Sequence, residues 1–210
     1  MGKVTVSLLE TFDSDIKSGN ANSAKDTLRK LKTKEVPDSL FGYTAKILNR
    51  SGLPKKAISL LDPIIYPENT LGRKPTDIEM AEYGSALNQI GAYADALNIF
   101  KKVNSKVAPM VDLYHALTLF NSWEYAKATP FLQNFCDNQK ASEYERYMGK
   151  VNLAVAYLAD QKYTQAFRNL NVIEAYAKKK YLKLLLGKCF ELRGQALVEQ
   201  SDFKMGAKFL

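Results

Sequence analysis

One phrase recurs along this chain, and that recurrence limits the fold more than any local pattern does. It is clearest at Gly91-Ala92-Tyr93-Ala94-Asp95-Ala96-Leu97-Asn98-Ile99-Phe100: a glycine, an aromatic two positions later, an alanine three beyond that, and a large apolar residue four further on. The frame returns at Gln161-Lys162-Tyr163-Thr164-Gln165-Ala166 with Leu170, and at Trp123-Glu124-Tyr125-Ala126-Lys127-Ala128 with Leu132. Weaker copies stand at Gly19 with Ala24 and Leu28, at Gly52 with Ala57 and Leu61, and at Phe203 with Gly206 and Leu210. The anchoring small residues Ala24, Ala57, Ala96, Ala128, Ala166 and Gly206 are spaced by 33, 39, 32, 38 and 40. Self-similarity on this scale marks stacked supersecondary units, each too small to bury its apolar face alone. The excess over about 34 residues falls in connections. Pro67, Gly72 and Pro75 lie in one, and Asp137-Asn138-Gln139-Lys140 in another.

Upstream of each anchor the other half of the unit is visible. Tyr83, Gly84 and Leu87 precede Ala96, and Leu153, Ala154 and Tyr157 hold the same offsets before Ala166. Ala116 and Leu119 precede Ala128, and Gly194 and Leu197 precede Gly206. Small and large apolar residues at i, i+3 and i+4 make the stripe of an amphipathic helix, and a small residue on one helix lets the next approach closely. The spacing predicts helices over 4–18 and 21–33, 38–50 and 54–65, 76–90 and 93–105, 109–121 and 124–137, 141–160 and 163–178, 180–200, and from 203 onward. Pro37, Pro54, Pro75 and Pro109 fall at starts or connections, where proline is tolerated. Pro130 does not, so its helix is expected to begin late, near Ala126, or to bend.

These units resemble the tetratricopeptide repeat over nearly the whole chain. The third copy matches best, through Tyr83-Gly84, Leu87, Tyr93, Ala96, Phe100 and Pro109; the first has Asp15 where the family has tyrosine, and the sixth has Gly206 for alanine. The resemblance implies an all-α fold, a right-handed superhelical solenoid of antiparallel helix pairs. It makes 1–210 a single domain with repeats near 4–36, 37–70, 76–108, 109–140, 141–178 and 180–210. Leu210 falls in mid-repeat, so the chain is expected to be a fragment of a longer protein.

Catalytic chemistry finds little purchase. His115 is the sole histidine, placed at a large-residue position, so no Ser-His-Asp, Cys-His or histidine-rich metal site can be assembled. Cys136 and Cys189 lie 53 positions apart with no paired spacing, which points to a reducing compartment. Neither GxxxxGK[ST] nor GxGxxG occurs, so no phosphate cradle is expected. Glu79 and Glu82 read as a solvated helix face, and Trp123 as a packing residue at an inter-helix turn. No enzyme activity, cofactor, metal or small-molecule substrate is expected.

Composition bounds the remaining classes. A hydrophobic share of 46% suffices for a packed core, while the lack of an apolar run near 18 residues excludes a spanning helix. Val6 stands where a myristoylation signal needs Ser or Thr. A cytoplasmic location without a membrane partner is expected. The net charge of +8 is spread among acidic residues, and its clusters, Lys101-Lys102 with Lys106 and Lys178-Lys179-Lys180, sit where helix dipoles favour cations. Nucleic-acid binding is therefore disfavoured.

The family resemblance implies a groove lined by the first helix of each pair. Its positions fall on Lys46, Asn49 and Arg50; on Ser85, Asn88 and Gln89; on Leu113, Leu117, Phe120 and Asn121; and on Val151, Val155 and Leu158. Such a groove, basic and polar at one end and apolar beyond, suits an acidic or amphipathic peptide or helix of a partner protein. In a competing reading the apolar part is covered by the helix from Tyr181 to Gln200 or by the sequence expected beyond Leu210. The expected function is a scaffold or adaptor. The alternatives are a peptide-responsive sensor and, less favoured, a nucleic-acid-binding repeat. The pairs Gly42/Lys46, Ala81/Ser85, Leu113/Leu117 and Val151/Val155 depart from the family's chaperone-tail clamp. Self-association through the C-terminal helices is a further expectation.

Overall fold

The computed structural model describes residues 7–12, 15, 21–66, 72–200 and 208–209. Among them the regular structure is helical: α1 (Ala21–Lys30), α2 (Phe41–Arg50), α3 (Pro54–Ile65), α4 (Asp77–Gln89), α5 (Tyr93–Phe100), α6 (Met110–Asn121), α7 (Tyr125–Asp137), α8 (Glu143–Ala159), α9 (Tyr163–Lys179) and α10 (Lys183–Glu199), with two single 3₁₀ turns before α2. Residues 7–12 are also helical. The side chain of Ala24, Gly206 and most of the two terminal helices expected at 4–18 and from 203 onward lie outside the described residues. The chain forms two compact units, Met1–Asn104 and Ser105–Leu210.

The same turn recurs within both units. After α2, α4, α6, α8 and α9 the chain enters the left-handed region at Gly52, Gly91, Trp123, Gln161 and Tyr181, with φ of 69°, 87°, 60°, 55° and 56°. The next N–H then reaches back five residues: Leu53 to the Leu48 carbonyl, Ala92 to Leu87, Glu124 to Leu119, Lys162 to Tyr157 and Leu182 to Ala177, at 2.7–3.0 Å. These are Schellman caps, which satisfy carbonyls the helix end leaves open and turn the chain back on itself. Helices joined by so short a link pack as antiparallel neighbours.

In the first unit α2 packs on α3 and α4, α3 on α4, and α4 on α5. Anchors Ala57 and Ala96 are fully buried. The reason Gly84 is small is steric, since a Cβ there would lie 2.3 Å from the Phe100 ring. The Tyr83 hydroxyl donates to Asp62 Oδ1 at 2.7 Å, and burial together with that carboxylate pushes its pKa up. The Lys56 ammonium donates to the carbonyls of Leu28, Arg29 and Leu31, capping α1 from the neighbouring repeat. α5 ends at Phe100, short of the 93–105 pattern. The chain leaves through tight turns in which Lys102 and Val103 bond three residues back, and Asp77 Oδ1 accepts the Asn104 N–H at 2.7 Å.

In the second unit each helix packs on the next, and α10 also on α8. Ala154, Ala166, Leu170, Ile173, Ala177, Leu185, Cys189, Leu192 and Ala196 form its buried cluster. A Cβ on Gly149 would meet the Phe135 ring at 2.5 Å, so that glycine sets the α7–α8 approach. α7 starts at Tyr125, one residue before the late start expected near Ala126, and carries Pro130 inside, with the Thr129 hydroxyl donating to the Tyr125 carbonyl at 3.2 Å. α8 opens on a capping box in which Ser142 and Glu145 satisfy each other's backbone N–H groups.

Candidate functional site

In the first unit the groove residues fall on two neighbouring first helices tied together by a buried amide. Asn49 Nδ2 on α2 donates to the Glu82 carbonyl at 2.8 Å and to Glu82 Oε2 at 3.0 Å on α4. Asn49 is therefore a packing link, and Ser85 is buried as well. Arg50 and Gln89 are exposed, while Lys46 and Asn88 are half-buried. Lys46 and Arg50, at i and i+4, lie on one face of α2.

The carboxylates of α4 correct the surface reading. Glu79 and Glu82 are buried. Glu79 is the N3 residue of a capping box with Thr76 and is held by Arg73, whose Nη2 lies 2.6 Å from Oε1 and Nη1 2.9 Å from Oε2. The same guanidinium grips Asp38 through Nε at 2.7 Å and Nη2 at 2.5 Å. Burial alone would raise the Glu79 carboxyl, but Arg73 and the Thr76 cap bring it below its ordinary range; Arg73 likewise lowers Asp38. The surrounding cleft of about 500 Å³ thus has its charge internally neutralised.

In the second unit most of the apolar groove candidates are core. Val151 belongs to the buried cluster with Leu185, Cys189 and Leu192 of α10, and Val155 packs against it. Leu113 and Leu158 are buried, Leu117 and Phe120 half-buried, and Asn121 exposed. The Phe120 ring lies 4.9 Å from that of Tyr125. His115 stacks on Phe131 at 3.9 Å, a packing contact. Trp123 occupies its turn as expected but is 80% exposed rather than packed.

The remaining titratable groups do not converge. Burial pushes both thiols, Cys136 and Cys189, up to about 11, so neither is a nucleophile near neutral pH. Among the described residues no group of three or more His, Cys, Asp or Glu could hold a metal ion, and no helix is long and apolar enough to cross a membrane.

Sequence reasoning assigned the lysines of one surface to a helix end and passed over its exposed apolar residues. Tyr181 and Leu184, at the α9–α10 turn, are 90% and 91% exposed beside Lys178, Lys179, Lys180 and Lys183. Leu184 sits in the run Leu182–Leu186, where periodicity alone does not say which leucine faces out.

No family model and no curated protein matches the chain. Three solved structures of MamA, a tetratricopeptide-like protein, share its fold. The segment from residue 41 to the end of MamA from Desulfovibrio magneticus RS-1 aligns with a TM-score of 0.60 at 21% identity, over 81% of this chain and 89% of that one. MamA RS-1 ArsTM double mutant gives 0.59 at 21% identity, with the same coverage. MamA MSR-1 C2 gives 0.58 at 13%, over 81% and 91%. The fold is that of a tetratricopeptide-type helical repeat.

Proposed function

We propose that this tetratricopeptide-type chain is a protein-interaction module, a scaffold or adaptor whose first helices receive a peptide or helix of a partner protein. The observation that carries the reading is the α2–α4 pair, locked by Asn49 and Glu82 into one rigid two-helix face. That face presents Lys46, Arg50, Asn88 and Gln89 at its surface. Rigid helices lower the ordering cost of binding, and two cations beside two amides match a peptide bearing carboxylates. Within the second unit, Leu117 and Asn121 of α6 and Val155 of α8 are proposed as contact positions of their own, while Asn49, Ser85, Leu113 and Val151 are buried, each within its own unit.

The test is selection of peptides from a random displayed library, followed by binding of the winners to the wild type and to Lys46→Glu/Arg50→Glu. Acidic sequences are expected. Their affinity should fall roughly tenfold or more in the variant, since charge reversal turns two attractions into repulsions. A cooperative thermal melt of the variant should show that it is folded, so that the loss reads on binding. Winners that bind the folded variant as tightly as the wild type would place the site elsewhere.

A further inference from the structure

α8, α9 and α10 are each 17 residues long, against 8–13 for α2 to α5. The start of α8 lies against the end of α9: the Tyr147 and Tyr176 rings stack at 3.6 Å, and Lys180 Nζ lies 3.7 Å from Glu143 Oε2. The α9–α10 turn continues the same edge of the second unit. Its tip carries Tyr181 and Leu184, both almost fully exposed, with Tyr144 half-exposed at the start of α8.

Nothing local calls for an aromatic at this tip. Tyr181 holds the left-handed position that glycine takes at 52 and 91, a conformation disfavoured for side chains with a Cβ. Its ring contributes almost no burial in return. The tip segment itself, residues 178–184, carries charge of one sign. Lys178, Lys179, Lys180 and Lys183 are exposed. Glu174 is taken up by Lys178 at 2.7 Å and Arg193 at 3.0 Å, and Glu143 faces Lys180. Lys179 and Lys183 have no acidic partner among the described residues.

We infer that this edge docks on an anionic bilayer surface, with Tyr181 and Leu184 entering the interfacial layer and the four lysines over the phosphate headgroups. A protein partner would need a pocket to receive two projecting side chains, because binding energy concentrates in enclosed pockets. A bilayer supplies its own, and aromatic or aliphatic residues flanked by lysines are what its interface favours. The expectation of no membrane partner rested on the lack of a spanning helix, which surface docking does not require. The inference is independent of the peptide-binding reading, since the two involve different residues.

The experiment is co-sedimentation of the full chain with vesicles of phosphatidylcholine alone and with phosphatidylserine added. Wild type should bind the anionic vesicles selectively, and less as salt rises. Tyr181→Gly/Leu184→Ser and Lys179→Glu/Lys183→Glu should each weaken binding roughly tenfold or more. Tyr181→Gly suits the turn better than tyrosine, so a lower thermal midpoint cannot account for its loss. In a Trp123→Phe background, Tyr181→Trp should shift its emission to the blue on adding anionic vesicles. Three results would overturn the inference: equal binding to both vesicle types, unchanged binding by the Tyr181/Leu184 variant, or capture of acidic peptides with no vesicle binding.

Discussion

Asp112 carries a carboxyl that burial pushes up to about 6, against a hydrogen bond from Ser105 that lowers it. Because its folded pKa lies above the unfolded value of 3.8, the folded state holds the proton more tightly. Stability therefore falls as pH rises from about 4 to 6, and the penalty is complete above that. Asp112→Asn removes the charge and keeps an acceptor for Ser105. It should stabilise the protein by on the order of 1–2 kcal/mol at pH 8 and by almost nothing at pH 4, as read from thermal melts at the two pH values. Glu79 shows why such sites escape a reading of spacing. Two glutamates at i and i+3 look solvated, whereas Arg73, arriving from a proline-bounded connection, and Asn49, from the preceding repeat, meet them inside the packed structure. The partners are distant in sequence or lie in irregular chain, where no periodicity marks them. The signal available was Thr76 three residues before Glu79, the capping-box spacing.

Elements were more legible than residues. The boundaries read from the 3.6-residue stripe and the glycine and proline punctuation fall within three residues of α2, α3, α4, α6, α7, α8, α9 and α10. The caps explain this: Gly52 and Gly91, which open two copies of the recurring phrase, are the left-handed residues of their turns, and Trp123 and Gln161 hold the same place in two others. α5 broke the pattern: it ends at Phe100, and within the expected span the Asn104 N–H goes to the Asp77 side chain instead. The anchors inside the helices make a sharper prediction. Gly84→Ala gains about 1 kcal/mol of helix propensity, yet its Cβ would sit 2.3 Å from the buried Phe100 ring. Displacing a packed aromatic costs about 1–3 kcal/mol, so the strain outweighs the propensity. The variant should melt earlier than the wild type, and adding Phe100→Leu should narrow the gap between glycine and alanine at 84. An alanine variant as stable as the parent would show that the α4–α5 approach is not set by this glycine.

At the scale of the whole molecule, the repeat fixed the architecture while charge and apolar run length left its surfaces open. A net charge of +8 does not say where the lysines gather. Lys178 and Lys179 do close a helix, as the dipole argument holds, yet the same cluster also frames the exposed Tyr181 and Leu184. Likewise the apolar stretch of α8 was legible as apolar, but not as core, because its cover is α10, one helix pair further along the chain. Both gaps come from the same property: in a repeat array a residue's environment is set by the neighbouring unit. That property is itself testable inside Ser105–Leu210, where every substantial helix contact joins helices one or two places apart. Leu132 of α7 is fully buried, so Leu132→Ala should cost about 2–5 kcal/mol. If nearest-neighbour interfaces govern stability, amide hydrogen exchange should quicken most in α7, next in α6 and α8, and least in α10. A uniform loss of protection from α6 to α10 would instead mean that the unit opens as one cooperative body, and that the energetics of its repeats cannot be assigned pair by pair.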